Sequence, residues 1–523
     1  MWKRSTRILS IILVSCAIVV AQGGPCSQKS NKLACVIPQE YGPNAFAFTN
    51  VLLPIPGTEH PEHYNSGTGD IAARLTPLTK AIGRQANLLP LASPSSGIIY
   101  DPSLKTFTGN DSLGPILGER AETVGQHKLF IGFSYQFFDF DKIDSVNLHN
   151  FPAVLTHTDD GADNPVAAPP TAPCSINSTK NINGCAFVRD LVSTVNSIDL
   201  KVNQYTSYIT YGLTSRIDLS LVIPIENVRM NLHSNDTIIL GTNGFYPAPA
   251  GSTDANPANP FPHFDHLFNS CKNAKPAAAS NTDTQAQATS NLGSACLNQS
   301  FPNSASTGGG SNPQNSASGI GDLVARVKWN AWRGERAAFA AGLDVRFPSG
   351  DAVNYLGSGS YGVKPFAVFS YRARISPHVL VGYEWNSDSI TAADLTTNAK
   401  GSVPSDFVYS AGADALVTKW LTGSFDVIGQ RFFSTEILAV QSQQFLEFCG
   451  RCTAVPSPNT VSRLNLTENP NTSYNITNAS MGIKVRPFSN LSKLVVTANV
   501  LVRLDEGGLH SKPAPLIGLG YTF

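Results

Sequence analysis

From residue 127 to the C-terminus, short and long connections alternate without exception between about twelve stretches in which apolar and polar residues take turns. The stretches are 127–140, 193–211, 216–229, 321–333, 336–347, 362–374, 377–387, 405–418, 421–433, 473–486, 493–505 and 514–523. Period two is the signature of a strand with two different faces. The connections at 212–215, 334–335, 375–376, 419–420 and 487–492 are tight, whereas those at 141–192, 230–320, 348–361, 388–404, 434–472 and 506–513 are mostly much longer. An even number of up-and-down strands, with every tight turn on one side and every long loop on the other, is the pattern of a membrane barrel whose termini are both periplasmic. A soluble sandwich can show alternation, but nothing in it keeps short and long connections in turn.

The mature chain has no apolar run of the roughly 18 residues that a membrane helix needs, so a spanning structure has to be a closed barrel. The expected fold is all-β: a transmembrane antiparallel up-and-down β-barrel of about 12 strands with long extracellular loops over 141–192, 230–320 and 434–472. Charged residues make up 14% of the chain and the formal net charge is zero, so no nucleic-acid footprint is present.

The faces agree with this fold. In 216–226, Ile217, Leu219, Leu221, Ile223 and Ile225 share one side, and Asp218, Ser220 and Glu226 the other. In 321–330, Leu323, Ala325, Val327 and Trp329 oppose Asp322, Arg326, Lys328 and Asn330. A one-residue slip would turn Arg326 and Lys328 into lipid at roughly 2–4 kcal/mol each near the midplane. Alternation in 193–211 breaks near Gln204, which predicts a bulge. The chain ends "APLIGLGYTF", placing Pro515, Ile517, Leu519, Tyr521 and Phe523 on one face; this reads as the closing strand, with Tyr521 and Phe523 as the signature for the barrel-assembly machinery. Tyr383, Trp385, Tyr409, Trp420 and Tyr521 are expected at the membrane interfaces.

Residues 1–23 carry Lys3, Arg4 and Arg7, then an apolar run from Ile8 to Val20, then Ala21 and Gly23. This is a secretory signal, too short to span a bilayer, and it sends the chain to the bacterial outer membrane. A lipoprotein signal ending at Cys16 is the alternative, although the apolar run continues past it. Eight cysteines remain, in close pairs that read as loop disulfides in an oxidising compartment: Cys26 with Cys35, Cys174 with Cys185, Cys271 with Cys296, and Cys449 with Cys452. "CGRC" at 449–452 could instead be a redox motif or half a zinc site, but no second C-x-x-C or βαβ context accompanies it. Residues 24–126 are rich in Pro, Gly and small polar residues and are expected to form a periplasmic or lumen-plugging segment ahead of the barrel at 127–523. The stretch 242–318 is low in complexity.

Three motifs invite a chemical reading, and each has a plainer one. "GSGSYG" at 357–362 has dinucleotide spacing, but a strand follows where a helix is needed, so an outer turn is expected. His233 and Ser234 in "LHSND" would face opposite ways along a strand and make a poor catalytic pair. His60 and His63 of "EHPEH", and "HFDH" at 263–266, read as solvated loop histidines. No cofactor and no metal are expected. The remaining candidates are the residues that the register turns inward: Asp218, Glu226, Asp322, Asp344, Glu384, Asp414 and Asp426, with Arg326, Lys328, Arg346, Lys364, Arg372, Lys484, Arg486 and Arg503. They either bridge one another and fill a narrow lumen, or line a polar pore whose mixed charge gives little ion preference.

"YGLTSRIDLSLVIPIE", "GIGDLVARVKW", "GLDVRFPSGD", "LGSGSYGVKPF" and "SPHVLVGYEW", taken in order, resemble the outer-membrane barrel family named for the meta-pathway of phenol degradation. The resemblance covers about 120–523 and implies a transporter-like barrel without catalytic residues; the 230–320 loop is longer than typical of the family. The expected function is passive passage of small solutes, aromatic or hydrophobic compounds among them, across outer-membrane lipid. The alternative is a surface interaction protein that uses the barrel as an anchor. An esterase is a third reading, and it would need His233 or another histidine within reach of a serine.

Overall fold

Twelve antiparallel strands close on themselves. They are β1 (Leu129–Ile143), β2 (Leu191–Gly212), β3 (Ile217–Ile239), β4 (Leu323–Arg333), β5 (Ala337–Phe347), β6 (Gly362–Tyr371), β7 (Ile375–Asn386), β8 (Asp406–Thr418), β9 (Leu421–Leu446), β10 (Thr460–Val485), β11 (Leu494–Arg503) and β12 (Ala514–Thr522). Each pairs with the next, and β12 returns to β1 with Leu516 opposite Gln136 and Thr522 opposite Phe130. The computed structural model describes residues 23–26, 30–40, 46–50, 58–59, 70–85, 89–90, 100–101, 106–107, 113–156, 191–239, 245–246, 261–262, 264–268, 271, 294–302, 315–446, 460–488 and 493–523. The signal sequence apart from Gly23, the Cys174/Cys185 and Cys449/Cys452 pairs, His60 and His63 lie outside these residues. Cys26–Cys35 and Cys271–Cys296 are disulfide-bonded.

The barrel wears its apolar residues outside. On β12 and just after it, Ile517, Leu519 and Phe523 are more than half exposed while Leu516 and Thr522 are buried. Trp332 and Trp420 stand exposed at the end of the tight turns, and Phe347, Tyr361 and Trp385 at the opposite end. An apolar wall flanked by aromatics is what a lipid-embedded barrel requires, and the protein is an outer-membrane β-barrel. Tyr409 lies across Gly429, and its hydroxyl is 2.8 Å from Thr477 Oγ1.

Four strands far exceed a membrane span of about 9–11 residues. β2 and β3 have 22 and 23 residues, and β9 and β10 have 26 each. Much of the expected loop sequence is therefore strand. β9 and β10 continue as a hairpin through 434–446 and 460–472, with register shifts at Phe432, Thr435 and Ile437 where they bend. Phe151–Thr156 adds to β2, and Asn298–Pro302 and Ser316–Ile320 pair with the outer part of β3. Phe264–Phe268 pairs with Phe46–Asn50, so "HFDH" lies largely in a strand and not in a loop.

The expected bulge at Gln204 is absent: β2 and β3 pair without a break from Leu191 opposite Ile239 to Gly212 opposite Asp218. What changes near Gln204 is the phase of the apolar residues. Within the membrane they point out, as Tyr205, Ile209 and Tyr211 do; above it they point in, as Ile198, Leu200 and Val202 do. β1 switches likewise from Ile131 and Phe133 outside to Phe138 and Phe140 inside, and β3 from Leu219, Leu221 and Ile225 to Val228, Met230 and Leu232. Above the membrane the outer face meets water, so apolar burial is available only inside.

That inward face closes on the N-terminal segment. Helix α1 (Asp70–Gln85) buries Leu75, Leu78 and Ile82, a stripe spaced three and four residues apart, in the same core as Phe138, Phe151, Leu200, Leu438 and Leu466. Leu33, Cys35 and Ile37 join it. On α1's polar side Arg84 pairs with Glu436, and Lys80 sits 3.3 Å from Glu468. Lys32 bonds Asp351 at 2.7 Å, and Gly24 and Cys26 donate to the carbonyls of Thr396 and Leu395, so residues 24–26 and 30–40 also sit among the outer loops.

Candidate functional site

Residues 113–125 cross the periplasmic end of the lumen. An extended chain turns successive side chains to opposite sides, and here opposite sides are opposite barrel walls. Glu119 reaches β4, where it accepts from Arg326 Nη1 at 2.6 Å and Lys328 Nζ at 2.8 Å. Arg120 reaches β8 and donates to both oxygens of Asp414. Glu122 accepts from Ser370 Oγ at 2.8 Å and lies 3.5 Å from Arg372 on the β6 side. Val124 N donates to Asp218 at 3.0 Å on β3, and Lys484 on β10 donates to the carbonyls of Leu113 and Pro115. Gly118 packs over His378 and Asp426; a Cβ there would stand 2.6 Å from both.

Most of the inward set is therefore paired. Arg326 also forks onto Asp344 at 2.6 and 2.7 Å, with its guanidinium 4.9 Å from the Phe366 ring. Lys364 lies 3.3 Å from Asp344 and 3.7 Å from Glu384, and Arg346 donates to Glu384 at 3.1 Å. Glu226 accepts from Gln204 at 3.2 Å. Asp426 accepts from Ser424 and is 2.6 Å from His378 Nε2.

Three of the fifteen expected positions stand elsewhere. Asp322 precedes β4 and accepts from the main-chain N–H of Gly350 and Ser358, which ties down the 348–361 loop. Arg486 lies beyond β10 in a tight turn, with its N–H on Trp420 O. Arg503 ends β11 and bonds Asp505 at 2.7 Å within the 504–513 connection. Asp322 and Arg486 have the right parity but lie just outside their strands, and Arg503 is the last residue of its own.

Above the 113–125 segment is a chamber of about 210 Å³. One wall is charged: Arg326, Asp344, Arg346, Lys364 and Glu384 from β4–β7. The facing wall is neutral: Val408, Ser410, Ile428, Gln430, Ile476 and Asn478 from β8–β10. Leu117 and Glu119 lie beneath it, and Leu89 and Pro90 border it from the N-terminal segment.

Sequence reasoning missed Glu119, Arg120, Glu122 and His378. The first three stand in "GERAE", a dense alternation of charge inside a segment otherwise poor in it, and that was the available signal. His378 has inward parity on β7. Two of the other motifs take their plainer form. His233 is exposed while Ser234 is buried and bonded to Asp236, so the pair faces opposite ways. "GSGSYG" forms the turn that Asp322 holds, and a strand follows it. Among the described residues no three His, Cys, Asp or Glu side chains are grouped to hold a metal.

Residues 276–433 match the family described as "Putative MetA-pathway of phenol degradation", in agreement with the resemblance read from the sequence. No curated protein matches the chain. Among solved structures, the chain is similar to an outer membrane channel from Pseudomonas putida F1, at 11% identity and a TM-score of 0.40, over 78% of this chain and 99% of that one. A Pseudomonas aeruginosa FadL homologue matches at 9% identity and a TM-score of 0.28, over 82% and 96%. A mutant of the TodX monoaromatic hydrocarbon channel matches at 9% identity and a TM-score of 0.23, over 83% and 100%.

Proposed function

We propose that the protein is an outer-membrane channel for passive passage of small solutes, aromatic or hydrophobic compounds among them. The observation that carries this reading is the chamber: a barrel serving only as an anchor has no use for a cavity between a charged and a neutral wall. The inward residues Asp218, Glu226, Arg326, Lys328, Asp344, Arg346, Lys364, Glu384, Asp414, Asp426 and Lys484 line the path in this reading, with Arg372 at its periplasmic rim. Residues 113–125 are its main obstruction and have to shift for passage. The pairing of nearly every lumen charge favours uncharged solutes, because an ion crossing such a lumen would break ion pairs to find partners of its own. Tyr521 and Phe523, at the end of the closing strand, are proposed to address the chain to the barrel-assembly machinery.

Single-channel recording in planar bilayers tests the reading, with the mature chain beside a variant lacking residues 24–126. Small discrete steps that widen on deletion are expected. Silence in both leaves the anchor reading, in which the tall β2–β3 and β9–β10 hairpins present a surface to a partner.

A further inference from the structure

The chain has 37 Lys and Arg against 37 Asp and Glu, but the two ends of the barrel do not share this balance. The five tight turns, residues 213–216, 334–336, 372–374, 419–420 and 486–493, hold seven cations and one carboxylate side chain. Every turn has its own cation: Arg216, Arg336, Arg374, Lys419 and Lys493, with Arg372 and Arg486 as second members. The acid is Glu335. Arg216, Arg336, Arg374 and Lys419 are exposed, and Lys493 is half-buried. Arg372 turns inward, to Glu122 of the segment that crosses the lumen.

The outer end is different. Its lysines are matched: Lys32 and Lys512 lie 2.7 Å from Asp351 and Asp139, Lys201 2.8 Å from Asp199, and Lys142 3.2 Å from Glu506. Among the described residues, none of Arg216, Arg336, Arg374, Lys419 and Lys493 has a carboxylate at ion-pair distance. The periplasmic rim therefore carries a net positive charge that the protein itself does not neutralise.

Each of these turns also shows an apolar side chain to the outside. Leu213, Trp332, Ile375, Trp420 and Phe488, in the turns or within two residues of them, are between 46% and 62% exposed. Aromatic side chains at a barrel's ends settle at the level of the lipid headgroups. A cation beside them stands at the depth of the lipid phosphates, where Lys and Arg are drawn to anionic lipid. The spacing says what the occupant is. A soluble anion or a docking protein calls for cations that converge on one patch, whereas these are spread around the whole rim, one or two to a hairpin, as the ring of lipid around a barrel is.

We infer that the periplasmic rim gathers anionic phospholipid, of the phosphatidylglycerol class, around the barrel in preference to zwitterionic lipid. The headgroup phosphate accepts from the Arg or Lys of a turn, and the acyl chains lie along its apolar neighbour. The inference needs the membrane barrel but not the channel reading, so conductance neither supports nor sinks it.

Tryptophan quenching by acyl-brominated lipid, with the full mature chain in phosphatidylcholine vesicles, tests it. Trp329→Phe with Trp385→Phe leaves Trp332 and Trp420 to report on the rim; a companion chain keeps Trp385 alone to report on the outer end. Against brominated phosphatidylcholine as the reference, brominated phosphatidylglycerol should be enriched about fivefold at the rim and stay near its bulk fraction at Trp385. Raising KCl from about 50 mM to about 1 M, which shortens the Debye length to about 3 Å, should remove the enrichment. Arg216→Gln, Arg336→Gln, Arg374→Gln and Lys419→Gln together should remove it as well. Should that variant lose the heat-modifiable gel mobility of a folded barrel, Lys419→Gln decides, with Trp420 as the sole reporter. Inorganic phosphate in place of chloride at equal ionic strength should leave the enrichment standing. Enrichment abolished by free phosphate would make the rim a soluble-anion site, and no enrichment at all would leave it to an acidic protein; either overturns the inference. So does equal enrichment at Trp385, or enrichment that survives the loss of the cations.

Discussion

Arg120 and Asp414 form a two-point ion pair, Nε to Oδ1 at 3.2 Å and Nη2 to Oδ2 at 2.6 Å, across 294 residues of sequence. Both are buried, with side chains 4% and 0% exposed. Removing one partner leaves the other charge stranded, which costs about 3–5 kcal/mol in buried pairs. Arg120→Ala should therefore loosen residues 113–125 and raise the conductance. Arg120→Ala with Asp414→Ala should cost much less than the sum of the singles. Denaturation of the three variants beside the parent chain checks this, and strict additivity would show that the pair is not coupled.

Glu119 holds two cations at once, Arg326 and Lys328. Glu119→Gln leaves both with one carboxylate fewer beside the lumen. The reversal potential in a KCl gradient should move towards anion selectivity, since uncompensated charge of one sign is what selects ions. An unmoved reversal potential would mean that ions do not pass beside Glu119.

The switch in phase along β3 predicts opposite sensitivities on its two faces. Leu221, on the lipid side, should lose roughly 2–4 kcal/mol on substitution by Arg. Leu232, on the inner face above the membrane, should lose about 2–5 kcal/mol on substitution by Ala. Urea titration of the refolded barrel reads both. Leu232→Ala without cost would remove the outer core from the account.

Gly342 on β5 lies beneath the Phe366 ring, and a Cβ there would stand 2.2 Å from the ring's edge. Gly342→Ala must push Phe366 aside, with Arg326 stacked on it, and should cost about 1–3 kcal/mol as overpacking does. A companion Phe366→Leu should recover part of the loss in the same urea titration.

Glu40, in the disulfide-linked N-terminal segment, has its pKa pushed well above the ordinary carboxyl value by burial and then by the nearby charge of Asp236. A carboxyl with a raised folded-state pKa contributes fully below its unfolded value, near 4.3, and loses that contribution as pH rises through the folded value. Docking of residues 24–40 should accordingly weaken between mildly acidic and alkaline pH. Glu40→Gln should flatten that dependence and raise the melting temperature at pH 8 but not at pH 4. Equal pH profiles for the two chains would exclude Glu40 as the source.

The membrane half of the fold is legible in the sequence because one rule governs it: lipid outside, polar groups inside, one residue each in turn. That rule yields the closing strand, the tight turns and the inward placement of Arg326, Asp344 and Asp414. It fails above the membrane, where the outer face meets water and the inner face meets the N-terminal core. Residues 434–446 and 460–472 read as loop because their Gln, Ser, Asn and Thr carry little alternation, yet they pair as strands. The same change of surroundings made Gln204 look like a bulge. At the site, β strands disclose which side chains face inward but not what they meet there. Glu119, Arg120 and Glu122 come from a segment without periodicity, and only the charge of "GERAE" hinted at their partners.

β2 thus carries two amphipathic patterns of opposite sign, joined near Gln204. Below the join the strand is held by its surroundings, and the thickness and fluidity of the bilayer set what a substitution costs there. Above it the molecule behaves as a water-soluble protein wrapped around α1 and the Cys26–Cys35 link. That half answers to pH, osmolytes and thiol reductants, and exchanging one lipid for another leaves it untouched.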